Sequence, residues 1–223
     1  MLTRILGKVS FFKGLGRKEI ERVLSIAGEK HYRAGEMVFF KRDIGLNFFI
    51  VRSGRIKIFS AIGPDKRKTF AYLKKGDFFG EMSLLGGKIR SASAQAVEDS
   101  ELLVIPRRNF KDLILRNPDF TLRLLHTLAD RLNKCDKEIE SMLYHNILGR
   151  LADAVIDLCG KSHARPVRIS IDQTELAEYI GTTRVPVCRA VNTLKRNGVI
   201  TYKRGELTVV DLGKLRSIAG NAS

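Results

Sequence analysis

The feature that most constrains the fold is one long stretch near the middle of the chain. From Pro118 to about His145 the sequence contains no glycine and no internal proline. Pro118 suits the first turn of a helix, where its missing N–H leaves no backbone bond unmade. The stretch therefore predicts a single long helix, with a β-textured region before it and a helical region after it.

Apolar residues recur along this helix with the heptad period of 3.5 residues. Two rows share one narrow face: Leu125, Leu132 and Ile139, with Leu122, Ala129, Asp136 and Leu143. The narrow stripe and the charged outer face favour a two-stranded dimer interface at these positions. The alternative is an amphipathic helix packed against the β domain of its own chain. Asp136 is expected beside a polar group, because an unpaired carboxylate is costly to bury.

The sequence pattern from His31 to about Phe110 indicates β-structure. Short apolar runs punctuated by glycine recur there, among them FFIV at 48–51 and IKIF at 56–59. These two runs flank Arg52-Ser53-Gly54-Arg55, which predicts a hairpin with glycine available for a positive φ. Many short strands at such spacing predict a small barrel or roll.

Caps and turns dominate the region after the long helix. Asn146 is expected to cap a helix over 147–159. Near the C-terminus, runs at 199–202 and 207–210 flank Lys203-Arg204-Gly205-Glu206. This pattern predicts a β-hairpin with a basic tip, a wing suited to phosphate contact.

Between these elements lies the pattern of a helix-turn-helix. Asp172 and Glu175 read as a capping box that opens a helix over 173–180, which stops at Gly181. A second helix follows from Arg184 to about Asn197. Two short helices joined by a glycine-containing turn of three or four residues define the motif.

The second helix separates into an apolar face and a basic face. Its inner face is expected to comprise Val187, Ala190, Val191 and Leu194. The start of a recognition helix meets base edges in the major groove, where arginine binds guanine and valine meets the thymine methyl. We expect these residues to contact DNA: Thr183 as the helix cap, Arg184, Val185, Cys188 and Arg189 on the helix, and Lys203 and Arg204 on the wing. The alternative is a helical domain that binds protein.

The charge balance favours a polyanionic partner. The net charge is +16, divided as +11 over residues 1–144 and +5 over residues 145–223. A strong positive charge favours nucleic acid, although the excess is not confined to the predicted DNA-binding region. The alternative is a protein that is lysine-rich for solubility.

Several classes of protein are excluded by what the sequence lacks. No nucleophile–base pair, P-loop or metal-ligand spacing is present, so we expect neither an enzyme nor a metal site. The three cysteines are widely spaced and odd in number, which predicts no disulfide framework and a reducing compartment. No stretch approaches the roughly 18–20 apolar residues that cross a bilayer. We expect a cytoplasmic protein without membrane contact.

The richest chemical stretch precedes the long helix, at 76–85 and 90–94. A glycine-entered short helix at Met82–Leu85 presents free backbone N–H groups that can cradle an anion. Arg90 can grip a phosphate with its guanidinium fork. Glu81 can accept a hydrogen bond from a ribose hydroxyl, or form an ion pair with Arg90. Together these residues predict a phosphate site.

Over essentially its whole length the chain resembles the cyclic-AMP receptor protein (catabolite activator) and FNR family of transcription regulators. The resemblance is carried by the strands around Phe49–Phe59, the cassette FGEMSLLGGKIRSASA, the long helix and TELAEYIGTTRVPVCRAVNTLKRNGVI. The expected fold is α+β, with an N-terminal cyclic-nucleotide-binding-type β-roll, a long dimerisation helix and a C-terminal winged helix-turn-helix. We place these domains at residues 1–117, 118–145 and 146–223.

The resemblance also implies which residues hold an effector. The ribose of a cyclic nucleotide would bind at Gly80 and Glu81, and its cyclic phosphate at Arg90 and Ser91. The whole predicted effector set is Gly80, Glu81, Met82, Ser83, Arg90, Ser91, Cys135 and Asp136. We expect cyclic AMP or cyclic GMP as the effector, and no required cofactor.

Departures from the family pattern bear on specificity. The long helix would contact the base at Cys135 and Asp136, where the cyclic-AMP receptor has Thr and Ser, so the base preference, or nucleotide binding itself, stays open. Arg184 and Arg189 match the family's base-reading arginines, but Val185 replaces the usual glutamate between them. The usual contact to cytosine is then lost, and we expect a DNA half-site unlike that of the type proteins.

The combined expectation is a bacterial homodimer that binds a pseudo-palindromic operator in duplex DNA and works with RNA polymerase. The effector would change how the two long helices pair and pivot the DNA-binding domains about residues 144–147. One alternative keeps DNA binding but makes the pocket vestigial, so that the protein is constitutive or senses another small molecule or, through Cys135, redox state. A remote alternative is a nucleotide-gated protein-interaction module.

Overall fold

The computed structural model describes residues 17–61, 67–160 and 166–220. The strands are β1 (Gly28–Tyr32), β2 (Met37–Phe39), β3 (Asn47–Ser53), β4 (Arg55–Ala61), β5 (Arg67–Lys74), β6 (Phe78–Phe79), β7 (Ser93–Ala96), β8 (Ser100–Pro106), β9 (Val167–Ser170), β10 (Ile200–Lys203) and β11 (Glu206–Val209). The helices are α1 (Arg17–Ile26), α2 (Met82–Leu85), α3 (Arg107–Arg116), α4 (Pro118–Tyr144), α5 (Ile147–Cys159), α6 (Gln173–Ile180), α7 (Arg184–Arg196) and α8 (Leu212–Gly220).

The order of the elements confirms the predicted α+β fold class, with a β-roll before the long helix and a winged helix-turn-helix after it. The residues group into two compact units, Met1–Ser60 with Phe70–Asp130 and Ala61–Thr69 with Arg131–Ser223. The division between the units falls within α4. The domain boundaries expected after residues 117 and 145 stay a prediction.

Strand β3 organises the roll because both of its faces are buried. The roll contains two antiparallel four-stranded sheets, ordered β1-β8-β3-β6 and β2-β7-β4-β5. Each residue from Phe48 to Val51 is at most 4% exposed. Side chains alternate along a strand, so Phe48 and Ile50 enter one core while Phe49 and Val51 enter the other. Burial on both faces explains why the run is apolar throughout rather than alternating.

Two hydrophobic cores result. Between the two sheets lie Phe49, Val51, Ile56, Leu73, Phe79, Ala94, Ala96, Leu102 and Val104. Between the first sheet and helices α1, α3 and α4 lie Ile20, Val23, Phe48, Ile50, Phe78, Leu103, Ile105, Phe110, Leu113, Phe120 and Leu124. In this helix-covered core the ring of Phe48 stacks on Phe110 at 4.6 Å between centroids and lies 5.3 Å from Phe78.

The turn at Gly54 does not close a hairpin, so that sequence prediction is wrong. Gly54 has the expected positive φ of 84°, but β3 belongs to the first sheet and β4 to the second. The chain crosses between the sheets here, and a Cβ at Gly54 would lie 2.2 Å from Ser100 Oγ. The local pattern marks the turn, whereas the partner of β3 is chosen by packing against the distant strand β8.

Helix α4 spans 27 residues, which confirms the predicted long helix. Phe120 and Leu124 are buried in the helix-covered core, whereas Leu122 and Leu125 are each 55% exposed. The face that packs on its own β domain is therefore not the face that carries the heptad stripe. Each helix within residues 17–61, 67–160 and 166–220 is either too short or too polar to span a lipid bilayer.

The caps of the C-terminal unit form largely as expected. Asn146 Oδ1 accepts hydrogen bonds from two backbone N–H groups at the start of α5. Asp172 and Glu175 form the reciprocal capping box of α6. Thr183 occupies the N-cap position of α7, but its side chain makes no capping hydrogen bond, so the expected cap is correct in position only.

Helices α6 and α7 form the helix-turn-helix. Gly181 ends α6 in the left-handed conformation, with φ of 71°, a geometry that favours glycine. The inner face of α7 is buried as predicted, at Val187, Ala190, Val191 and Leu194. Strands β10 and β11 form the wing hairpin, and β9 pairs with β11 as a third strand.

A polar cluster joins the second half of α4 to α5 and α6. Lys134 Nζ donates to Asp157 Oδ2 at 2.7 Å and to Tyr179 Oη at 3.0 Å, and Tyr179 Oη donates to Asp157. Burial, reinforced by Asp157 and opposed by Lys134, raises the pKa of Tyr179 to about 12. The tyrosine therefore stays neutral and keeps its donor proton. These three residues are called the Lys134 cluster below.

A second set of contacts bridges the junction of α4 and α5. Asp153 Oδ2 accepts a hydrogen bond from Ser141 Oγ at 2.7 Å and lies 2.9 Å from His145 Nδ1. These contacts span residues 144–147, the predicted pivot. The pivoting motion itself stays a prediction.

The two phenylalanines Phe48 and Phe40 should differ greatly in how much each contributes to the free energy of unfolding. Replacing Phe48 with alanine removes a fully buried ring and should lower the free energy of unfolding by about 3–5 kcal/mol. The control is Phe40→Ala, because Phe40 is 57% exposed and should cost under about 1 kcal/mol. Urea unfolding measures both variants. Equal losses would show that Phe48 does not anchor the core.

Candidate functional site

The predicted phosphate cassette is built around a buried arginine. Arg90 is 5% exposed, and its guanidinium reaches back to the turn between β6 and α2. Its Nη1 donates to Gly80 O and to Ser83 Oγ, each at 2.8 Å, and its Nη2 donates to Asn47 O at 2.7 Å. The structure thus brings Gly80, Ser83 and Arg90 of the predicted set into direct contact.

Two glycines make room for this arrangement. A Cβ on Gly80, whose φ is 85°, would lie 2.6 Å from Arg90 Nη1. A Cβ on Gly45 would lie 2.1 Å from Ser83 Oγ. Both distances are far below van der Waals contact, so any side chain at either position would displace the arginine or its serine partner.

Further groups hold the cassette in place. The guanidinium carbon of Arg90 lies 4.2 Å from the centroid of the Phe39 ring, a cation–π distance. Arg107, at the start of α3, donates from Nη2 to Gly45 O at 2.7 Å and to Ser83 O at 2.8 Å. Arg107 therefore connects the loop before β3 and the short helix α2 of the cassette to the start of α3.

The surroundings of Arg90 do not fully offset the cost of burying its positive charge. Burial lowers the pKa of Arg90, and the Coulombic attraction of Glu81 opposes that shift. Glu81 is itself buried, at 3% exposure. Among the described residues, no acceptor is within hydrogen-bond reach of the buried Arg90 Nε. A desolvated cation with an unused donor is a favourable partner for an anion.

The remaining effector candidates are placed less closely. Met82 and Ser91 are exposed, and Ser91 Oγ lies 3.5 Å from Met82 Sδ. Cys135 and Asp136 are exposed on the part of α4 that belongs to the other compact unit. Their roles in base recognition stay predictions.

The predicted DNA-contacting residues share the surface of the C-terminal unit. Six of them are exposed and one is half-buried: Thr183, Arg184, Val185, Arg189, Lys203 and Arg204, with Cys188. The wing tip places Arg204 at φ of 50° and Gly205 at φ of 79°, a turn geometry that fits a two-residue hairpin. The basic tip and the start of α7 are therefore available to a nucleic acid.

The predicted dimer stripe is also exposed in the single chain. Exposure reaches 63% at Leu132, 57% at Ile139 and 71% at Leu143, and Ala129 and Asp136 are exposed as well. An apolar row of this length is unusual on the surface of a monomer. Its role as an interface stays a prediction.

Sequence reasoning missed three residues of the cassette's surroundings: Gly45, Asn47 and Arg107. Asn47 contributes only a backbone carbonyl and Gly45 only the absence of a side chain, so neither gives a readable signal. Arg107 is one of many basic residues, and its partners are backbone atoms far away in sequence.

Comparison with known proteins identifies the class. The family sequence model of the cyclic nucleotide-binding domain matches residues 29–117. The family sequence model of the Crp-like helix-turn-helix domain matches residues 149–218. The fold and these matches define a DNA-binding transcription regulator with a sensor-type domain. The chain belongs to the CRP/FNR family of transcription regulators.

Individual relatives agree with this assignment. The chain is 35% identical over 208 residues to the cyclic AMP receptor protein of Thermus thermophilus, covering 93% of this chain and 95% of the relative. The crystal structure of the Thermus thermophilus catabolite activator protein matches with a TM-score of 0.56 at 33% identity, covering 96% and 99% of the two chains. The c-di-GMP-responsive global regulator CLP of Xanthomonas campestris matches in fold alone, with a TM-score of 0.78 at 20% identity and coverage of 87% and 99%.

The family assignment distinguishes a transcription regulator from an enzyme and from a protein-interaction module. The family relatives are transcription regulators, so the chain is a regulator and not an enzyme. The Crp-like helix-turn-helix implies DNA binding. The family therefore supports a DNA-binding regulator over the remote alternative of a nucleotide-gated protein-interaction module.

The close approach at Gly45 yields a test of the cassette. Gly45→Ala should lower the free energy of unfolding by about 1–3 kcal/mol, because the new methyl group overlaps the Ser83 hydroxyl. The matched control is Gly86→Ala, where the nearest atom to a Cβ is 3.9 Å away and no loss is expected. Thermal unfolding of both variants measures the difference, and an unperturbed Gly45→Ala protein would contradict the packing described.

Proposed function

We propose that the protein is a homodimeric transcription regulator whose DNA binding is controlled by a cyclic nucleotide. The proposal that a cyclic nucleotide binds rests on the burial and hydrogen bonding of Arg90. Its guanidinium is buried, held in one orientation by Gly80, Ser83 and Asn47, and left with an unused Nε donor. A cyclic phosphate offers the negative charge and the acceptor oxygens that such a group lacks.

The nucleotide class is favoured by similarity as well as by chemistry. The Thermus thermophilus relative bears the name cyclic AMP receptor protein, and the cyclic nucleotide-binding domain model covers the whole cassette. Glu81 would then accept a hydrogen bond from the ribose, and Ser91 would add a second contact to the phosphate. The base would meet Cys135 and Asp136. A carboxylate accepts hydrogen bonds but cannot donate them, so cyclic GMP, with its N1–H and N2–H₂ donors, is as good a candidate as cyclic AMP.

Dimerisation is supported by the exposed stripe on α4. Pairing two stripes would remove Leu122, Leu125, Leu132, Ile139 and Leu143 from water, at roughly 25 cal/mol per Å² of apolar surface. Two recognition helices would then enter successive major grooves about 34 Å apart. A symmetric dimer of this kind requires a pseudo-palindromic operator.

The remaining partners follow from the same proposal. A regulator of this family acts in the cytoplasm, on duplex DNA and together with RNA polymerase. The effector can control DNA binding only through a different affinity for two arrangements of the protein. A vestigial pocket, in which Arg90 has only a structural role, is an outcome of the test below.

Calorimetry with cyclic AMP and cyclic GMP tests the effector. We expect saturable heat from at least one nucleotide, and loss of that binding in Arg90→Ala. Arg90→Lys keeps the charge but not the fork, so it should bind more weakly than the wild type. Arg108→Ala, at an exposed arginine on α3, should bind normally. No heat from either nucleotide with the folded wild type would remove the sensing proposal and leave the vestigial pocket.

Sedimentation equilibrium tests the dimer. Leu132→Glu places a charge in the middle of the stripe and should shift the protein towards monomer, with at least a tenfold weaker dimer. The control, Leu115→Glu, changes a residue of α3 that is 70% exposed outside the stripe and should leave the dimer unchanged. A wild-type monomer, or a dimer insensitive to Leu132→Glu, would refute this interface.

A further inference from the structure

Asn192 lies at the centre of the exposed face of α7. The buried residues Val187, Ala190, Val191 and Leu194 mark the opposite side of the helix. With 3.6 residues per turn, Asn192 falls almost directly opposite that side. It follows Val185 by seven residues, or two turns, and therefore continues the line on which Val185 lies.

The side chain of Asn192 is free to bind something outside the chain. It is exposed, and in the described part of the chain its side chain has only one hydrogen-bonding contact, from Nδ2 to Cys188 Sγ at 3.9 Å. Thiol sulfur is a weak acceptor. The carboxamide thus retains its oxygen as an acceptor and an N–H as a donor.

The surroundings of Asn192 suit a polyanion. Arg189, Lys195 and Arg196 line a shallow cavity with Asn192 and Thr193. All three cationic side chains are exposed; Arg189 is expected to read a base, and Lys195 and Arg196 can neutralise phosphates beside the groove. Among the residues that line this cavity, Asn192 supplies the carboxamide, a group that can both donate and accept in base recognition, whereas lysine contacts to phosphate carry no sequence information.

We propose that Asn192 reads an adenine in each half of the operator. The inference rests on the DNA binding of α7 and extends it to one particular base. A carboxamide matches the major-groove edge of adenine, because its oxygen accepts from N6–H and its N–H donates to N7. Val185 would lie two turns nearer the start of the helix, so Asn192 reads a different base pair from Val185.

Selection from a pool of duplexes randomised in the half-site tests the assignment. The wild type, Asn192→Ala and Asn192→Asp are compared, each with cyclic AMP, with cyclic GMP and with neither. For the wild type we expect adenine at one symmetric pair of positions, preferred roughly 5- to 150-fold over other bases. Asn192→Ala should lose that preference at that pair alone. Asn192→Asp should transfer it to cytosine, whose N4–H₂ group donates to a carboxylate.

Asn197→Ala provides the matched control. Asn197 is exposed at the C-cap of the same helix, and its replacement should leave the selected sequence unchanged. The proposal is overturned if Asn192→Ala selects the wild-type sequence with the adenine intact, or if it weakens binding to all sequences equally, as loss of a phosphate contact would. Failure of the wild type to bind any duplex, with no salt-dependent affinity, would instead contradict the DNA-binding function itself.

Discussion

The burial of β3 on both faces is the constraint on which the N-terminal unit depends. One face of this strand closes the roll, and the other fixes the helices that cover it. The same strand begins at Asn47, whose carbonyl accepts a hydrogen bond from Arg90. The position of Arg90 is therefore set by the strand that contributes to both cores. Packing and binding geometry cannot be altered independently here.

Helix α4 carries two sets of apolar residues, one packed on the roll and one exposed. Phe120 and Leu124 pack on the roll, as in the alternative of an amphipathic helix on its own domain. Leu122 and Leu125 are exposed, as a stripe reserved for another molecule would be. The helix has both properties because the two sets of residues occupy different faces. A heptad pattern alone could not reveal the packed face, since its residues, Phe120, Leu124 and the partly buried Leu128, lie outside the two heptad rows.

The features predicted correctly from the sequence are mostly those that depend on residues close together in the chain. The capping box at Asp172 and the helix end at Gly181 depend on atoms a few residues away, and both were predicted correctly. The hairpin at Gly54 was predicted wrongly because strand pairing is decided by distant packing. The partners of Arg90 could not be predicted, because they are backbone carbonyls that any residue could supply. The helix-turn-helix was therefore predicted more accurately than the arrangement of the cassette.

The Lys134 cluster has a consequence for exchanging sensor domains among relatives. The end of α4 at Tyr144 looks like the natural junction for such a fusion. A graft made there would leave Asp157 and the buried hydroxyl of Tyr179 without the ammonium group that both contact. A donor domain should therefore be joined upstream of Lys134, so that the last three turns of the helix travel with the DNA-reading half of the molecule.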